Sequence, residues 1–188
     1  MRQLSLIGLL MLASSLQGCF PIVAAGMGTG VVVAKDPRTN GTYLEDEEIQ
    51  LKSAKAVGDK YGDRVHVNIT SYNRVALVTG EVPDEASKAE IGKMVAATQN
   101  VRNVNNELAV SGLSSLTSRS SDALVTSDIK LHYVGKENFD SGRVKIVTEN
   151  GTVYLMGLVS HEEGKIASDI ASSTSGVLRV VTFFEYTN

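Results

Sequence analysis

Val144-Lys145-Ile146-Val147-Thr148-Glu149-Asn150-Gly151-Thr152-Val153-Tyr154-Leu155-Met156-Gly157-Leu158-Val159 is the stretch from which the rest of the chain can be read. β-Branched and apolar residues flank Asn150-Gly151 on both sides. Asn-Gly is a strong two-residue hairpin signal, because both central residues must accept positive φ. The reading is a strand over 144–149, a tight turn, and a return strand over 152–159. The same layout occurs about 77 residues earlier. Val65-His66-Val67-Asn68-Ile69 matches Gly142-Arg143-Val144-Lys145-Ile146, and Val78-Thr79-Gly80-Glu81-Val82 matches Leu155-Met156-Gly157-Leu158-Val159. Lys88 aligns with Lys165, and Val101-Arg102-Asn103-Val104 with Val177-Leu178-Arg179-Val180 after a single gap.

Working outward, each copy predicts the same order. A helix comes first, over 46–60 and over 122–134. A hairpin follows, with strands over 65–71 and 75–82 in copy one. Pro83-Asp84 and Ser160-His161-Glu162 read as helix starts, opening second helices over 84–98 and 161–173. Closing strands run over 103–110 and 178–186. The expected fold class is therefore α+β. Two αββαβ units, each a three-stranded mixed sheet with two helices on one face, pack in tandem. A unit of about 70 residues has a small core, so packing of one unit on the other is expected to help. The domain reading is 1–18 signal peptide, 19–43 flexible tether, 44–112 first unit and 113–188 second unit.

The N-terminus reads as an address. Met1-Arg2-Gln3 is a short basic region, and the apolar run from Leu4 to Leu16 is too short to span a bilayer but suits a signal-peptide core. Leu16-Gln17-Gly18-Cys19 resembles the lipobox of bacterial lipoproteins. That resemblance implies cleavage after Gly18 and acylation of Cys19, the only cysteine. It also takes that cysteine out of redox chemistry. Phe20, in place of an Asp, favours the outer membrane, facing the periplasm. Residues 19–43 are rich in small residues, with Asp36-Pro37-Arg38 and Asn40-Gly41 as turn signals. The glycines at 26, 28 and 30 follow no strand, so a linker explains them better than a phosphate loop.

The repeated unit resembles the BON domain, on the strand-end Gly80 and Gly157 with Val82 and Val159, and on the closing segments Val101–Leu108 and Gly176–Val180. A lipobox followed by two such units is similar to the dual-BON-domain outer-membrane lipoproteins, the division- and outer-membrane-stress-associated lipid-binding family. The resemblance implies a non-enzymatic protein. Its second BON domain would bind anionic phospholipid of the phosphatidylglycerol kind, largely through that domain's first helix. It would support outer-membrane integrity at the division site. A member of that family carries an aromatic where Leu124 aligns, and a leucine there weakens the expected interfacial preference.

The residues bear on this independently. On a wheel, Val125, Ile129, His132 and Tyr133 form a core stripe. Ala123, Leu124, Leu131 and Val134 gather on roughly the opposite face, with Ser127 between them and Lys130 at the edge. These residues can meet lipid, the first unit or a partner protein, and the sequence alone leaves all three open. The resemblance favours lipid. The candidate phospholipid contacts are thus Ala123, Leu124, Ser127, Lys130, Leu131 and Val134. The alternative is an adaptor whose same face meets the outer-membrane protein assembly machinery. Residues 113–188 hold nine acidic and seven basic side chains, so electrostatic help for lipid binding would be local, from Arg119, Lys130 and Lys136.

Composition excludes much else. The 188 residues are 43% hydrophobic and 21% charged, with a formal net charge of −3. That describes a globular chain without the basic field of a nucleic-acid binder. There is no Trp for base stacking. His66, His132 and His161 lack metal-ligand spacing with a neighbouring His or Cys. His66 reads as outward on its strand and His132 as core-facing. His161-Glu162-Glu163 and Asp46-Glu47-Glu48 read as helix starts whose carboxylates oppose the dipole. No cofactor, metal or catalytic residue is expected.

Overall fold

The computed structural model describes residues 36–137 and 139–187. The expected signal peptide, Cys19 and most of the expected tether lie outside the described residues.

In chain order the elements are α1 (Asn40–Tyr61), β1 (His66–Tyr72), β2 (Val75–Val82), α2 (Glu85–Ala96), β3 (Asn103–Asn106), β4 (Ala109–Val110), α3 (Leu116–Tyr133), β5 (Val144–Glu149), β6 (Thr152–Val159), α4 (His161–Ser173) and β7 (Arg179–Tyr186). β1 and β2 pair antiparallel, and β3 and β4 continue parallel on the other side of β2. β5, β6 and β7 repeat this arrangement. The closing strand of the first unit is thus broken in two, with Leu108 of the break buried in the core.

Both first helices start earlier than the sequence suggests. Thr39 caps α1 by accepting from Thr42 N, and Ser115 caps α3 by accepting from Ser118 N. Asn40 and Gly41 are therefore helical, not a turn at the end of a tether. Asp46 lies inside α1 and is not a helix-start charge. Its carboxylate accepts from the backbone amides of Asn73 and Arg74, at 2.8 and 2.7 Å, in the β1–β2 turn. Asp122 in α3 does the same for Asn150 and Gly151 in the β5–β6 turn, both at 2.9 Å. In each turn both central residues have positive φ, the geometry that matches strand twist.

Each unit has its own core between helices and sheet. Ile49, Val57, Ala76, Val78, Val82, Ile91 and Val95 fill the first. Ile129, Tyr133, Val153, Leu155, Val159, Ala167 and Ala171 fill the second. Strand alternation sends the intervening side chains to the other face. There Tyr72 and Leu77 of the first unit meet Tyr154 and Met156 of the second, flanked by Val75, Val147, Val181 and Phe183. The helix-free faces of the two sheets are thus packed on each other. Polar contacts edge this junction. Tyr72 donates to the Arg143 carbonyl at 3.1 Å, Asn73 to Glu185 at 3.0 Å and Asn68 to Glu149 at 2.9 Å.

Two strand-end glycines are required sterically. A Cβ on Gly80, whose φ is +116°, would lie 2.0 Å from the His66 carbonyl oxygen. One on Gly157 would lie 2.5 Å from that of Arg143.

Candidate functional site

The candidate site is the outer face of α3. Asp122, Ile129 and Tyr133 are buried and Val125 is half-buried, so this stripe turns the helix inward. The Tyr133 hydroxyl donates to the Ala167 carbonyl at 3.0 Å, and burial pushes its phenol well above the ordinary tyrosine value. Thr126 and Thr148 join at 2.7 Å through their hydroxyls. With the inner stripe pinned to β5 and α4, the other side has no freedom to turn away from solvent.

All six sequence-selected residues, Ala123, Leu124, Ser127, Lys130, Leu131 and Val134, are exposed. Leu124 is 71% exposed, and Leu131 and Val134 are each 72% exposed. None of these three leucine and valine side chains is therefore covered by the first unit. Leu116, 79% exposed in the first turn, extends the face toward the helix start. The sequence reading missed it because it began the helix at 122. A shallow groove of about 390 Å³ runs along Leu124, Val125, Ser127, Asp128, Leu131 and Ser175.

Two neighbours differ from expectation. His132 is not on the core face. It is exposed, and its Nδ1 lies 2.9 Å from the Asp128 carbonyl oxygen. The buried stripe centres on Asp122, Ile129 and Tyr133, which leaves His132 at its margin. Arg119 does not reach the outer face either. Its guanidinium donates to the Ser114 hydroxyl and carbonyl at 3.1 and 2.9 Å, which ties α3 to the segment joining the units. Lys130 and Lys136 remain as exposed cations near the face.

Among the described residues, one group of His and acidic side chains lies close enough to share an ion. It comprises His66, Glu81 and Glu149. His66 does point outward from its own sheet, but toward the second unit. Its partners lie on β2 and β5, too far along the chain for spacing to reveal them. Burial raises the Glu149 carboxyl above its ordinary value, although a hydrogen bond from Asn68 opposes this. Burial works the same way on Glu81, but hydrogen bonds from Asn150, His66 and Ser114 outweigh it and leave that carboxyl lowered.

Two tandem αββαβ units with strand-end glycines and an outward-facing first helix define a class. The BON domain model matches residues 45–112 and again 121–188, and the chain belongs to the BON-domain family. The outer membrane lipoprotein DolP of Haemophilus influenzae is 35% identical over 173 residues, 91% of this chain and 90% of that protein. The 21 kDa hemolysin of Actinobacillus pleuropneumoniae is 26% identical, over 80% of this chain and 79% of its own. Osmotically-inducible protein Y of Escherichia coli is 26% identical, over 74% and 72% respectively. Among the described residues no helix is long and apolar enough to cross a membrane.

Proposed function

We propose that the chain is a non-enzymatic lipoprotein of the outer membrane, anchored through acylated Cys19 and facing the periplasm. Its second BON unit binds anionic phospholipid through the outer face of α3 and supports membrane integrity, with division sites as the place of action. Likeness to DolP over nearly the full length supports the lipoprotein part. The observation that carries the lipid part is the exposed row of Leu116, Leu124 and Leu131 on α3, with Val134 just past its end, beside Lys130. An apolar face of this size with a flanking cation suits shallow insertion among anionic headgroups. Anchoring through Cys19 would raise the local lipid concentration, so a weak site would still be filled.

The test is an NMR titration of the purified protein with phosphatidylglycerol micelles against a zwitterionic control. Shifts confined to residues 116–135, seen with the anionic lipid alone and lost in Leu131→Glu, are the expected result. The exposure of Leu131 means that this variant should keep the wild-type melting temperature. Absence of shifts at saturating lipid would overturn the lipid reading and turn the same face into a protein-docking surface.

A further inference from the structure

The junction between the two BON units gathers a donor set that the proposed lipid face does not use. His66 opens β1, Glu81 stands near the end of β2, and Glu149 ends β5. His66 Nδ1 is 2.9 Å from Glu81 Oε2 and 3.8 Å from Glu149 Oε1. One donor atom from each residue lies within 4.8 Å of the others. A tetrahedral zinc ion with bonds of about 2.0–2.2 Å to nitrogen and oxygen separates its ligand atoms by about 3.3 Å. The two observed separations bracket that value. A carboxylate oxygen of Glu81 lies within 4.8 Å of one of Glu149, so all three donor atoms surround one position.

The surroundings are built to hold these side chains in place. The side chains of Glu81 and Glu149 are 1% and 8% exposed. Asn150 Nδ2 donates to Glu81 Oε1 at 2.6 Å, and the Ser114 amide and hydroxyl reach Glu81 Oε2 at 3.3 and 3.2 Å. Asn68 Nδ2 donates to Glu149 Oε2 at 2.9 Å. Outer partners of this kind orient ligating carboxylates. Glu149 Oε1, by contrast, receives no hydrogen bond among the described residues, and it is the oxygen that faces the imidazole. Two buried carboxylates against a single imidazole also leave negative charge uncompensated, with Asp122 adding to it along the cleft. Arg119, the cation of that cleft, hydrogen-bonds Ser114 and forms no ion pair with these carboxylates among the described residues, so one positive charge faces three acidic groups. The cleft holds about 290 Å³ and is lined by His66, Asn68, Arg119, Asp122, Thr126 and Glu149, among others. It gives an entry path and room for water to complete the coordination.

We propose that His66, Glu81 and Glu149 form a divalent-cation site of the zinc class that fastens the first BON unit to the second. His66 and Glu81 come from one unit and Glu149 from the other, so the ion bridges the junction. In the metal-free protein Nδ1 of His66 carries the proton donated to Glu81. Binding frees the Nδ1 lone pair for the ion: a neutral imidazole shifts its proton to Nε2, and an imidazolium releases the Nδ1 proton to solvent and keeps the one on Nε2. This site is independent of the lipid face.

The experiment is calorimetric titration of zinc chloride into the purified, chelator-stripped full chain at neutral pH. The expected result is one ion per chain with micromolar or tighter affinity and a raised melting temperature. His66→Gln and Glu149→Gln should each weaken binding at least tenfold, whereas His132→Gln and His161→Gln should stay within twofold of wild type. X-ray absorption at the zinc edge of the wild-type protein should show one imidazole and a shell of oxygen. Three results would overturn the site: no stoichiometric binding at 100-fold excess zinc, affinity unchanged in both His66→Gln and Glu149→Gln, or a sulfur shell, which would put the ion away from this junction.

Discussion

Asp46 and Asp122 hold the same station in the two units: each lies inside a first helix and caps the amides of the hairpin turn beside it. The turn residues need positive φ, which Gly151 adopts freely and Arg74, at +64°, does not. The carboxylate offsets that local cost by pairing the turn amides. Asp46 also accepts from Ser71 and from Arg38, both at 2.7 Å, and the Arg38 side chain is 7% exposed.

The two aspartates should therefore differ in what they contribute. Asp122→Ala is expected to cost about 1.5–3 kcal/mol, from the loss of two hydrogen bonds to a charged acceptor. Asp46→Ala is expected to cost more, about 3–5 kcal/mol, because it also takes one buried partner from Arg38. Urea unfolding of the two variants beside wild type checks the order. Equal losses would show that the extra contacts of Asp46 carry no net weight.

The strand-end glycines give a second ordered pair. Gly80→Ala meets both a backbone clash at 2.0 Å and a φ of +116°, and about 3 kcal/mol or more should be lost. Gly157→Ala meets only the 2.5 Å approach to the Arg143 carbonyl and should be milder. Melting temperatures decide this. A Gly80→Ala protein as stable as wild type would mean that β1 shifts freely, contrary to its pairing with β2.

The sheet-to-sheet junction should make unfolding a single event. Leu77 and Met156 are 0% and 1% exposed, so Leu77→Ala should cost about 2–5 kcal/mol through the cavity it leaves between the units. Because that cavity lies outside both helix-sheet cores, the loss should fall on coupling. Scanning calorimetry is expected to show one transition for wild type and two for the variant. One unsplit transition, displaced downward, would show that the junction still couples the two units despite the cavity.

The segment before α1 should be sensitive to acid. Burial raises the Asp36 carboxyl, but hydrogen bonds from the Arg38 guanidinium and amide outweigh this and hold it below its ordinary value of 3.8. A lowered carboxyl stabilises the fold above its unfolded value and loses that contribution as pH falls through the folded one. Wild type should thus be more stable than Asp36→Asn at pH 6, with the difference shrinking as pH falls below the ordinary carboxylate value of 3.8. A difference that persists in acid would assign it to packing, not charge.

The repeat, the strands 144–149, 152–159 and 75–82, and helix 161–173 were all legible in the chain, because alternation and Asn-Gly chemistry are local. The starts of α1 and α3 were not. An acidic residue near a helix start normally reads as an N-terminal charge, as Asp46-Glu47-Glu48 does, and Asp122 stands at the expected start of its helix. Their real role depends on a turn roughly 27 residues away, which only folding brings near. Thr39 and Ser115 supply the caps, yet their neighbourhoods read as linker. His132 and Arg119 were misplaced for a related reason. A wheel gives angles about an axis, but which neighbour covers the edge of a stripe is a tertiary fact.

By itself, the sequence determined the two αββαβ units, the turn chemistry between their strands and the apolar residues on both sides of α3. Each follows from periodicity and from residues whose backbone preferences act over a few positions. The tertiary structure decided what faces what. It packed the helix-free sheet faces together, which left the outer side of α3 open, and it brought His66, Glu81 and Glu149 from distant strands to one junction. Those outcomes depend on how two complementary surfaces bury each other, and that is a property of the folded pair, not of any local stretch of chain.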